Sequence, residues 1–203
     1  MRTRGRLTTK FFIGVDEVGR GPIAGPVAVG VVVIPVHFPR SFFKGIRDSK
    51  DLSEEMRLSW VEKTHNVSEL GLHYAVGFAG PEEIDARGIV PAVGEALSRA
   101  LMGVKAKPSR SCMFLDGSLY GPARYVYQKT SVKGDEFEPV TSLASIVAKV
   151  NRDRYMCDLA EAHPGHGFEK HKGYGTSDHY AAIRELGLCS EHRKSFIKLS
   201  LDD

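Results

Sequence analysis

Two apolar segments rich in β-branched residues lie near the start of the chain. Residues 11–16 and 24–36 have the length and composition of buried strands. Between them, residues 18–22 (VGRGP) are too rich in glycine and proline to continue either strand. The pattern therefore predicts two core strands that are joined through a glycine-rich loop.

Strand-like and helix-like segments follow along the rest of the chain. Ser53 is a typical helix N-cap, and the two acids after it suit the positive end of a helix. Gly187 is typical of a residue that ends a helix. The predicted strands are 72–78, 112–115 and 123–128, and the predicted helices are 53–65, a turn from Pro81, 91–102, 139–160 and 176–186. This order predicts an α/β domain with a mixed sheet flanked by helices.

The composition is that of an ordinary globular protein. The chain has 203 residues, 42% hydrophobic and 26% charged, which predicts one domain with a substantial core. No apolar run approaches the about 20 residues of a membrane-spanning helix. No signal-type apolar core follows the basic N-terminus, so we expect a cytoplasmic protein. The net charge of +3 permits nucleic-acid binding without requiring it. Three cysteines without CxxC spacing disfavour a disulfide framework and a cysteine-based zinc site.

Three acidic residues lie directly after predicted strands. Asp16 and Glu17 follow the first strand, and Asp116 follows the strand 112–115. Strand ends are where open α/β sheets build their functional sites, but Asp before Gly is also ordinary turn chemistry. A regular strand points adjacent residues to opposite faces. Glu17 therefore needs a twist in the chain, or it contributes its backbone carbonyl or reaches in from the edge of the site.

A fourth acid, Asp153, lies on the predicted helix 139–160. It is seven residues after Ile146 and three after Val150, so it shares their apolar face. A carboxylate on a buried face is costly unless it is paired or binds a metal, and an ion pair with Lys149 would also explain it. If these carboxylates converge, the absence of cysteine ligands favours a hard cation such as Mg²⁺.

The N-terminal part of the chain closely resembles the signature of ribonuclease HII. Residues 14–27 read GVDEVGRGPIAGPV, and further matches follow in the family's order over nearly the whole chain. They are residues 48–53 (DSKDLS), 115–117 (LDG), 133–135 (KGD), 145–154 (SIVAKVNRDR), 164–168 (PGHGF), 171–176 (HKGYGT) and 192–196 (HRKSF). The resemblance implies a ribonuclease H-like core over about residues 11–160. It implies a small C-terminal helical part that contacts substrate over about residues 161–203.

The resemblance also implies a chemistry. It indicates an endonuclease that hydrolyses the RNA strand of RNA–DNA hybrids and cuts 5′ of single ribonucleotides in duplex DNA, leaving 3′-OH and 5′-phosphate. Its expected roles are ribonucleotide excision and primer removal. The family's four acidic positions fall on Asp16, Glu17, Asp116 and Asp153, which would hold Mg²⁺ or Mn²⁺. In such a site two ions activate the attacking water and stabilise the leaving oxygen, and Asp16 would bridge them.

Six further residues are candidate substrate contacts. They are Gly19, Arg20, Gly21, Lys50, Lys149 and Tyr174. Residues 19–21 match the family loop whose backbone contacts the ribose 2′-OH, where glycine permits close approach and the hydroxyl distinguishes RNA from DNA. Tyr174 matches the family tyrosine that stacks on the deoxyribose after the ribonucleotide. The two lysines are candidate phosphate contacts.

Other functions are weighed against this interpretation. A hybrid-binding module without catalysis would gain nothing from clustered negative charge near phosphates. A junction resolvase with the same core would not need the loop 19–21 or Tyr174. Five histidines after residue 160 could suggest zinc, but their spacing is neither a helical HxxxH nor a finger pattern.

The two ends of the chain and one internal segment raise further expectations. About ten residues precede the first strand, which favours ribonuclease HII over the sister type HIII with its extra N-terminal domain. Residues 196–201 faintly resemble a sliding-clamp peptide, although a docked or frayed terminus is the interpretation we favour. Residues 84–88 depart from the asparagine-containing segment of the family. We expect a monomer.

Overall fold

A five-stranded mixed sheet with helices on both faces forms the centre of the protein. The computed structural model describes residues 9–104, 106–117, 119–131 and 138–197. The strands are β1 Phe11–Val18, β2 Val27–Pro35, β3 His73–Ala79, β4 Ser111–Asp116 and β5 Tyr127–Ser131. The helices are α1 Glu54–His65, α2 Pro81–Arg87, α3 Ile89–Gly103, α4 Glu138–Ala162, α5 Phe168–His171 and α6 Ser177–Leu186. This architecture confirms the predicted α/β class with a mixed sheet.

The first strand lies in the middle of the sheet. The strand order is β3-β2-β1-β4-β5. β1 and β3 both pair with β2 in antiparallel fashion, whereas β4 pairs in parallel with β1 and with β5. β1 therefore has one antiparallel and one parallel neighbour, and its carboxyl end lies beside the carboxyl end of β4.

Each face of the sheet packs on a different helix layer. Ile13 and Val15 of β1 belong to an apolar cluster with buried residues of α3, and residues of β2 and β4 complete it. On the other face, α4 packs on β1 and β2, and α1 packs on α4, around Leu143, Ile146 and Trp60. The apolar periodicity of α4 thus places one side of this long helix directly against the central strands.

The C-terminal part packs on the loop between β1 and β2. Ala24 forms an antiparallel bridge with His192. The Arg193 N–H donates to the Ile23 carbonyl (2.8 Å), and the Gly25 N–H donates to the Glu191 carbonyl (2.8 Å). The last described segment therefore adds a short extended pairing to the glycine-rich loop.

Three predicted strand boundaries were wrong. β1 extends to Val18, so Asp16 and Glu17 lie within this strand rather than after it. The second strand begins at Val27 rather than at residue 24, because Ala24 and Gly25 pair with the C-terminal segment. The strand predicted at 123–128 lies at Tyr127–Ser131. Residues 122–125 form a turn in which the Tyr125 N–H donates to the Pro122 carbonyl. None of the described helices is both long and apolar enough to span a membrane.

Candidate active site

Two of the predicted acids lie side by side because of the strand register. The parallel pairing of β1 with β4 ends at Val15 and Leu115. Asp16 and Asp116 are the next residues on the two strands, and adjacent strands lie about 4.8 Å apart. The carboxyl ends of the two central parallel strands thus bring two carboxylates together, as the sequence predicted.

Most of the predicted site residues surround one cavity of about 260 Å³. It lies where β1 and β4 end, and part of its wall comes from α4 and from the loop after β1. The predicted residues that line it are Asp16, Glu17, Gly19, Arg20, Gly21, Lys50, Asp116, Lys149 and Tyr174. Acids and candidate substrate contacts therefore share a single surface depression.

Asp16 is the most perturbed carboxylate in this cavity. Burial raises the pKa of Asp16 to about 7, the nearby charges of Glu17 and Asp116 add to the rise, and a hydrogen bond from Ser145 opposes it. The Oδ1 atom also accepts a hydrogen bond from the Glu17 N–H at 2.8 Å. A buried acid whose neighbours are also acids is the setting in which a bound cation is most favourable.

Glu17 lines the cavity although it lies on the opposite face of β1 from Asp16. Asp16 shares the β1 face of Gly14, which lies against α4, whereas Glu17 follows Ile13 and Val15 on the opposite face. Its carboxylate still borders the cavity and accepts a hydrogen bond from Arg20 at 3.2 Å. Burial raises the pKa of Glu17, and the Arg20 contact opposes the rise. Glu17 lies in regular pairing with Val29 of β2, and the way in which it would contact a metal stays a prediction.

Asp153 is set apart from the other three acids. It is almost fully buried on α4, and its Oδ1 atom lies 2.7 Å from the Lys149 ammonium. Asp153 borders a neighbouring depression with Glu54 and Arg57, whereas Lys149 lines the main cavity. The ion pair proposed as the alternative for Asp153 is therefore present, and its role as a metal ligand stays a prediction.

The chemistry of these side chains suits a hard divalent cation, whereas their arrangement in the structure suits one less well. Asp16, Glu17 and Asp116 offer carboxylate oxygens, the ligands that Mg²⁺ and Mn²⁺ prefer. However, no three His, Cys, Asp or Glu side chains within the described ranges form a group that could hold a metal. Glu17 is turned toward Arg20 and Asp153 toward Lys149. Metal binding by all four acids would require these two acids to exchange a cationic partner for the ion.

The predicted substrate contacts lie on the rim of the same cavity. Gly21 is exposed, Arg20 is partly exposed, and the Tyr174 ring is 44% exposed. The Gly173 carbonyl accepts hydrogen bonds from the Ile23 and Ala24 amides, which fixes the tyrosine segment beside the glycine loop. The predicted motif 133–135 lies outside the described residues.

Three polar residues of the cavity were not singled out from the sequence. Asp48, Ser49 and Ser145 line it, and the two serine hydroxyls are hydrogen bonded at 2.7 Å. Ser49 and Ser145 are 96 positions apart, so no local pattern links them. Their only sequence signal was membership of the family motifs at 48–53 and 145–154.

The late histidines pack around Phe168 instead of lining the acidic cavity. His166, His171, His179 and His192 all make ring contacts with it, and the Nε2 atoms of His179 and His192 are 3.1 Å apart. Burial lowers the pKa of His179 and of His192 to about 4. His179 and His192 are therefore largely neutral at pH 7, and all four rings serve as packing residues.

A mixed sheet with acids at the ends of its central parallel strands, covered by a helix that carries another acid, defines a ribonuclease H-like nuclease. The family model for Ribonuclease HII matches residues 13–201. A Ribonuclease HII from Polynucleobacter asymbioticus is 43% identical over 187 residues, which is 90% of this chain and 91% of that protein. The chain therefore belongs to the ribonuclease HII family, endonucleases that act on the RNA strand of RNA–DNA hybrids.

Solved structures agree with this fold. The chain matches a structure of the PCNA:RNase HII complex from Archaeoglobus fulgidus with a TM-score of 0.70 and 23% identity, covering 95% of this chain and 98% of that one. It matches Bst-RNase HIII in complex with Mn²⁺ with a TM-score of 0.55 and 17% identity, covering 90% of this chain and 64% of that one. The expected ribonuclease H-like fold is confirmed.

Proposed function

We propose that this enzyme, acting as a monomer, also cuts on the 5′ side of single ribonucleotides embedded in duplex DNA, leaving 3′-OH and 5′-phosphate. One observation carries the proposal: Asp16, Glu17 and Asp116 share a cavity with the glycine loop and Tyr174. A phosphate held at the acids would have its flanking sugars within reach of the loop and the tyrosine. Such an enzyme suits ribonucleotide excision and primer removal in the cytoplasm.

The four predicted acids would hold the divalent cations. Asp16, Glu17 and Asp116 lie at the strand ends, and Asp153 lies one helical turn from the cavity-lining Lys149. The structural neighbour Bst-RNase HIII was solved with Mn²⁺, which supports Mg²⁺ or Mn²⁺ here. Two such ions, when bound, supply an activated water and neutralise charge on the scissile phosphate. The raised pKa of Asp16 suits this role, because a nearby cation would restore its ionised form.

The chain's own residues would position the nucleic acid. The backbone of residues 19–21 offers amide donors for a ribose hydroxyl, and Tyr174 offers a flat ring for the next, deoxyribose, sugar. Lys50 and Lys149 border the acids and would contact flanking phosphates. Glu17 and Asp153 would release Arg20 and Lys149 when metal binds, which frees two cations for those phosphates.

The direct test is cleavage of a DNA duplex that contains one ribonucleotide. With Mg²⁺ or Mn²⁺ present, we expect one cut 5′ of the ribonucleotide and products with 3′-OH and 5′-phosphate ends, resolved on a sequencing gel. The controls are the same duplex without the ribonucleotide and an all-DNA four-way junction. The absence of cleavage with either metal would refute the proposal, and cutting of the junction would indicate a resolvase instead.

Tyr174 tests the proposed choice of the RNA–DNA step. Tyr174→Ala should lower kcat/KM on the single-ribonucleotide duplex by roughly ten-fold or more, because stacking on the sugar is lost. The loss on a long RNA–DNA hybrid should be much smaller, while Tyr174→Phe keeps the ring and should behave like the unmodified enzyme. Equal losses on the two substrates would contradict the stacking role.

The interaction with a sliding clamp stays a prediction. The neighbour from Archaeoglobus fulgidus was solved with PCNA. In the present chain the Phe196 ring packs against the core. The Arg193 guanidinium lies over this ring, with its Cζ atom 5.3 Å from the ring centroid. Residues 198–201 of the candidate clamp peptide lie outside the described residues.

A further inference from the structure

Two fully buried arginines lie behind the glycine loop. Arg152 and Arg193 are both 0% exposed, and neither forms an ion pair with an acid among the described residues. Burying a guanidinium without a carboxylate is costly unless its N–H groups are hydrogen bonded. Burial and the nearby Arg152 charge lower the pKa of Arg193 to about 9, so it stays charged at neutral pH. Groups this costly need a compensating function in the fold or at the site.

Arg193 uses its guanidinium to hold both ends of the loop. Its Nη2 and Nη1 atoms donate to the Gly19 carbonyl (2.8 Å) and the Arg20 carbonyl (3.2 Å), and Nε donates to the Gly25 carbonyl (2.8 Å). The planar fork of an arginine can satisfy several acceptors at fixed angles. Three carbonyls of one loop are therefore drawn toward a single buried cation.

These bonds determine where two amides of the loop point. In a trans peptide the N–H is directed opposite to the carbonyl of the preceding residue. Because the Gly19 and Arg20 carbonyls point inward to Arg193, the N–H groups of Arg20 and Gly21 point away from it. Among the residues that the structure describes, no acceptor is found for either amide. Both residues line the acidic cavity, so the two amides form a donor pair at its rim.

The arginine is anchored independently of the loop side chains. The segment that carries it pairs with residues 23–25, and Asp85 of α2 accepts hydrogen bonds from the Lys194 and Ser195 amides at 2.9 and 3.0 Å. Although burial opposes the effect, hydrogen bonds from Ser195 and Lys194 hold the pKa of Asp85 below its usual value. Arg193 is therefore held in place by contacts outside residues 19–21, and its hydrogen bonds fix the backbone of those residues.

We propose that Arg193 is a positioning residue that gives the site its selectivity for a ribose 2′-OH, by aiming the Arg20 and Gly21 amides at the sugar. The inference rests on the proposed recognition of an embedded ribonucleotide. Without the fork, the peptide planes at 19–20 and 20–21 are free to rotate, and the donor pair is lost. DNA without the hydroxyl does not use this pair, so its binding does not depend on Arg193.

The test separates selectivity from stability. KM is measured on a duplex with one ribonucleotide, and the inhibition constant of the same all-DNA duplex is measured as a competitor. For Arg193→Lys we expect the ratio of these two constants to fall about ten-fold or more, because a charged hydrogen-bond fork is lost. The inhibition constant of the all-DNA duplex should stay within two-fold. Assays are run well below each variant's melting temperature.

Arg152→Lys is the matched control. Arg152 is equally buried and also donates to three carbonyls, but these belong to Pro26, Ala24 and Lys172. Its side chain packs against Gly19 without a hydrogen bond to the loop tip, so it controls for packing behind the loop. Its melting temperature should fall by a similar amount while the selectivity ratio stays near that of the unmodified enzyme. Equal ratios for both variants, whether reduced or retained, would overturn the assignment.

Two further outcomes are distinguished. If Arg193→Lys does not fold, Asp85→Ala replaces it, since this change releases the support of Arg193: a reduced ratio supports the inference and an unchanged ratio overturns it. If the unmodified enzyme shows no selectivity, the proposed function fails. If the unmodified enzyme is selective and Arg193→Lys equally so, only the positioning role fails.

Discussion

At the scale of single residues, the ionised form of Asp16 that the proposed metal binding uses is unfavourable for the stability of the metal-free fold. Its pKa is raised to about 7, mainly by burial, from 3.8 in the unfolded chain. A raised pKa means that the folded state holds the proton more tightly, so this contribution to stability is full below about pH 3.8 and is lost as the pH rises through 7. At pH 8 the metal-free protein thus carries a charge in an unfavourable place.

Replacing Asp16 should have opposite effects on catalysis and on stability. We expect Asp16→Asn to abolish cleavage and leave substrate binding largely intact. At pH 8 without metal it should raise the free energy of unfolding by about 1–3 kcal/mol, discounted for the part of the side chain that reaches solvent. Urea denaturation and a cleavage assay measure both effects. Asp158→Asn, an exposed change on α4, is the control and should alter neither. Near-normal cleavage by Asp16→Asn would show that the acids are wrongly assigned.

The sequence predicts the individual acids better than it predicts their partners. Asp16 and Asp116 are recognisable because each follows a run of apolar strand residues, and the register then places them side by side. The ion pair of Asp153 with Lys149 is an i, i+4 contact and could be anticipated. Arg193 could not, because its acceptors are more than 160 positions away in the chain.

At the scale of elements, the contact between β1 and α4 forms the wall of the site. A side chain at Gly14 would place its Cβ 2.4 Å from the Val140 carbonyl oxygen and 2.8 Å from the Thr141 nitrogen. Only glycine therefore lets the strand and helix backbones approach so closely. That approach brings Ser145 of α4 within hydrogen-bonding reach of Asp16.

Gly14→Ala should consequently weaken both the fold and the chemistry. We expect a loss of roughly 1–3 kcal/mol in unfolding free energy, or more, because backbone atoms must move apart. The folded fraction should also have a lower kcat, since α4 carries Ser145, Lys149 and Asp153 away from β1. Gly77→Ala is the matched control, because its Cβ would lie 2.0 Å from the Ala96 carbonyl on the opposite face. It should lose stability but keep kcat per folded molecule, and a similar loss of kcat in both variants would argue against this coupling.

Strands and helices were predicted correctly where buried residues form a clear apolar pattern in the sequence. All nine residues of β2 are buried, and its run of β-branched residues marks it in the sequence. β5 was placed several residues early, because Gln128, Lys129 and Thr130 give an outer strand no apolar alternation. Tyr125 is buried at a turn before it, so the apolar signal preceded the strand itself.

At the scale of the whole molecule, the sequence predicts the layers but not the way in which the chain ends meet. A mixed sheet between helices follows from the order of elements. The strand order β3-β2-β1-β4-β5 and the return of residues 191–193 onto residues 23–25 depend on contacts between distant segments. The family resemblance implied a ribonuclease H-like core, and the structure shows that the last described segment packs on the loop beside the active site.

We expect the histidine cluster to make this support sensitive to pH. The His179 and His192 rings are buried around Phe168 with His166 and His171, and His192 lies beside Cys189. Burial lowers the pKa of both to about 4, against 6.5 in the unfolded chain. The unfolded state therefore binds more protons between about pH 6.5 and 4. Their contribution to stability is complete above pH 6.5 and is lost as the pH falls through this window.

The expected loss is up to about 1.4 kcal/mol per pH unit for each histidine. Asp16 acts in the opposite direction over part of the range, so the comparison is made between the unmodified enzyme and His192→Gln by urea denaturation from pH 7.5 to 4.5. The variant lacks one titrating ring and should show a shallower decline of unfolding free energy below pH 6.5. His73→Gln, on an exposed position of β3, should reproduce the unmodified curve. Parallel curves for His192→Gln and the unmodified enzyme would mean that the buried histidines do not cause the loss of unfolding free energy at low pH.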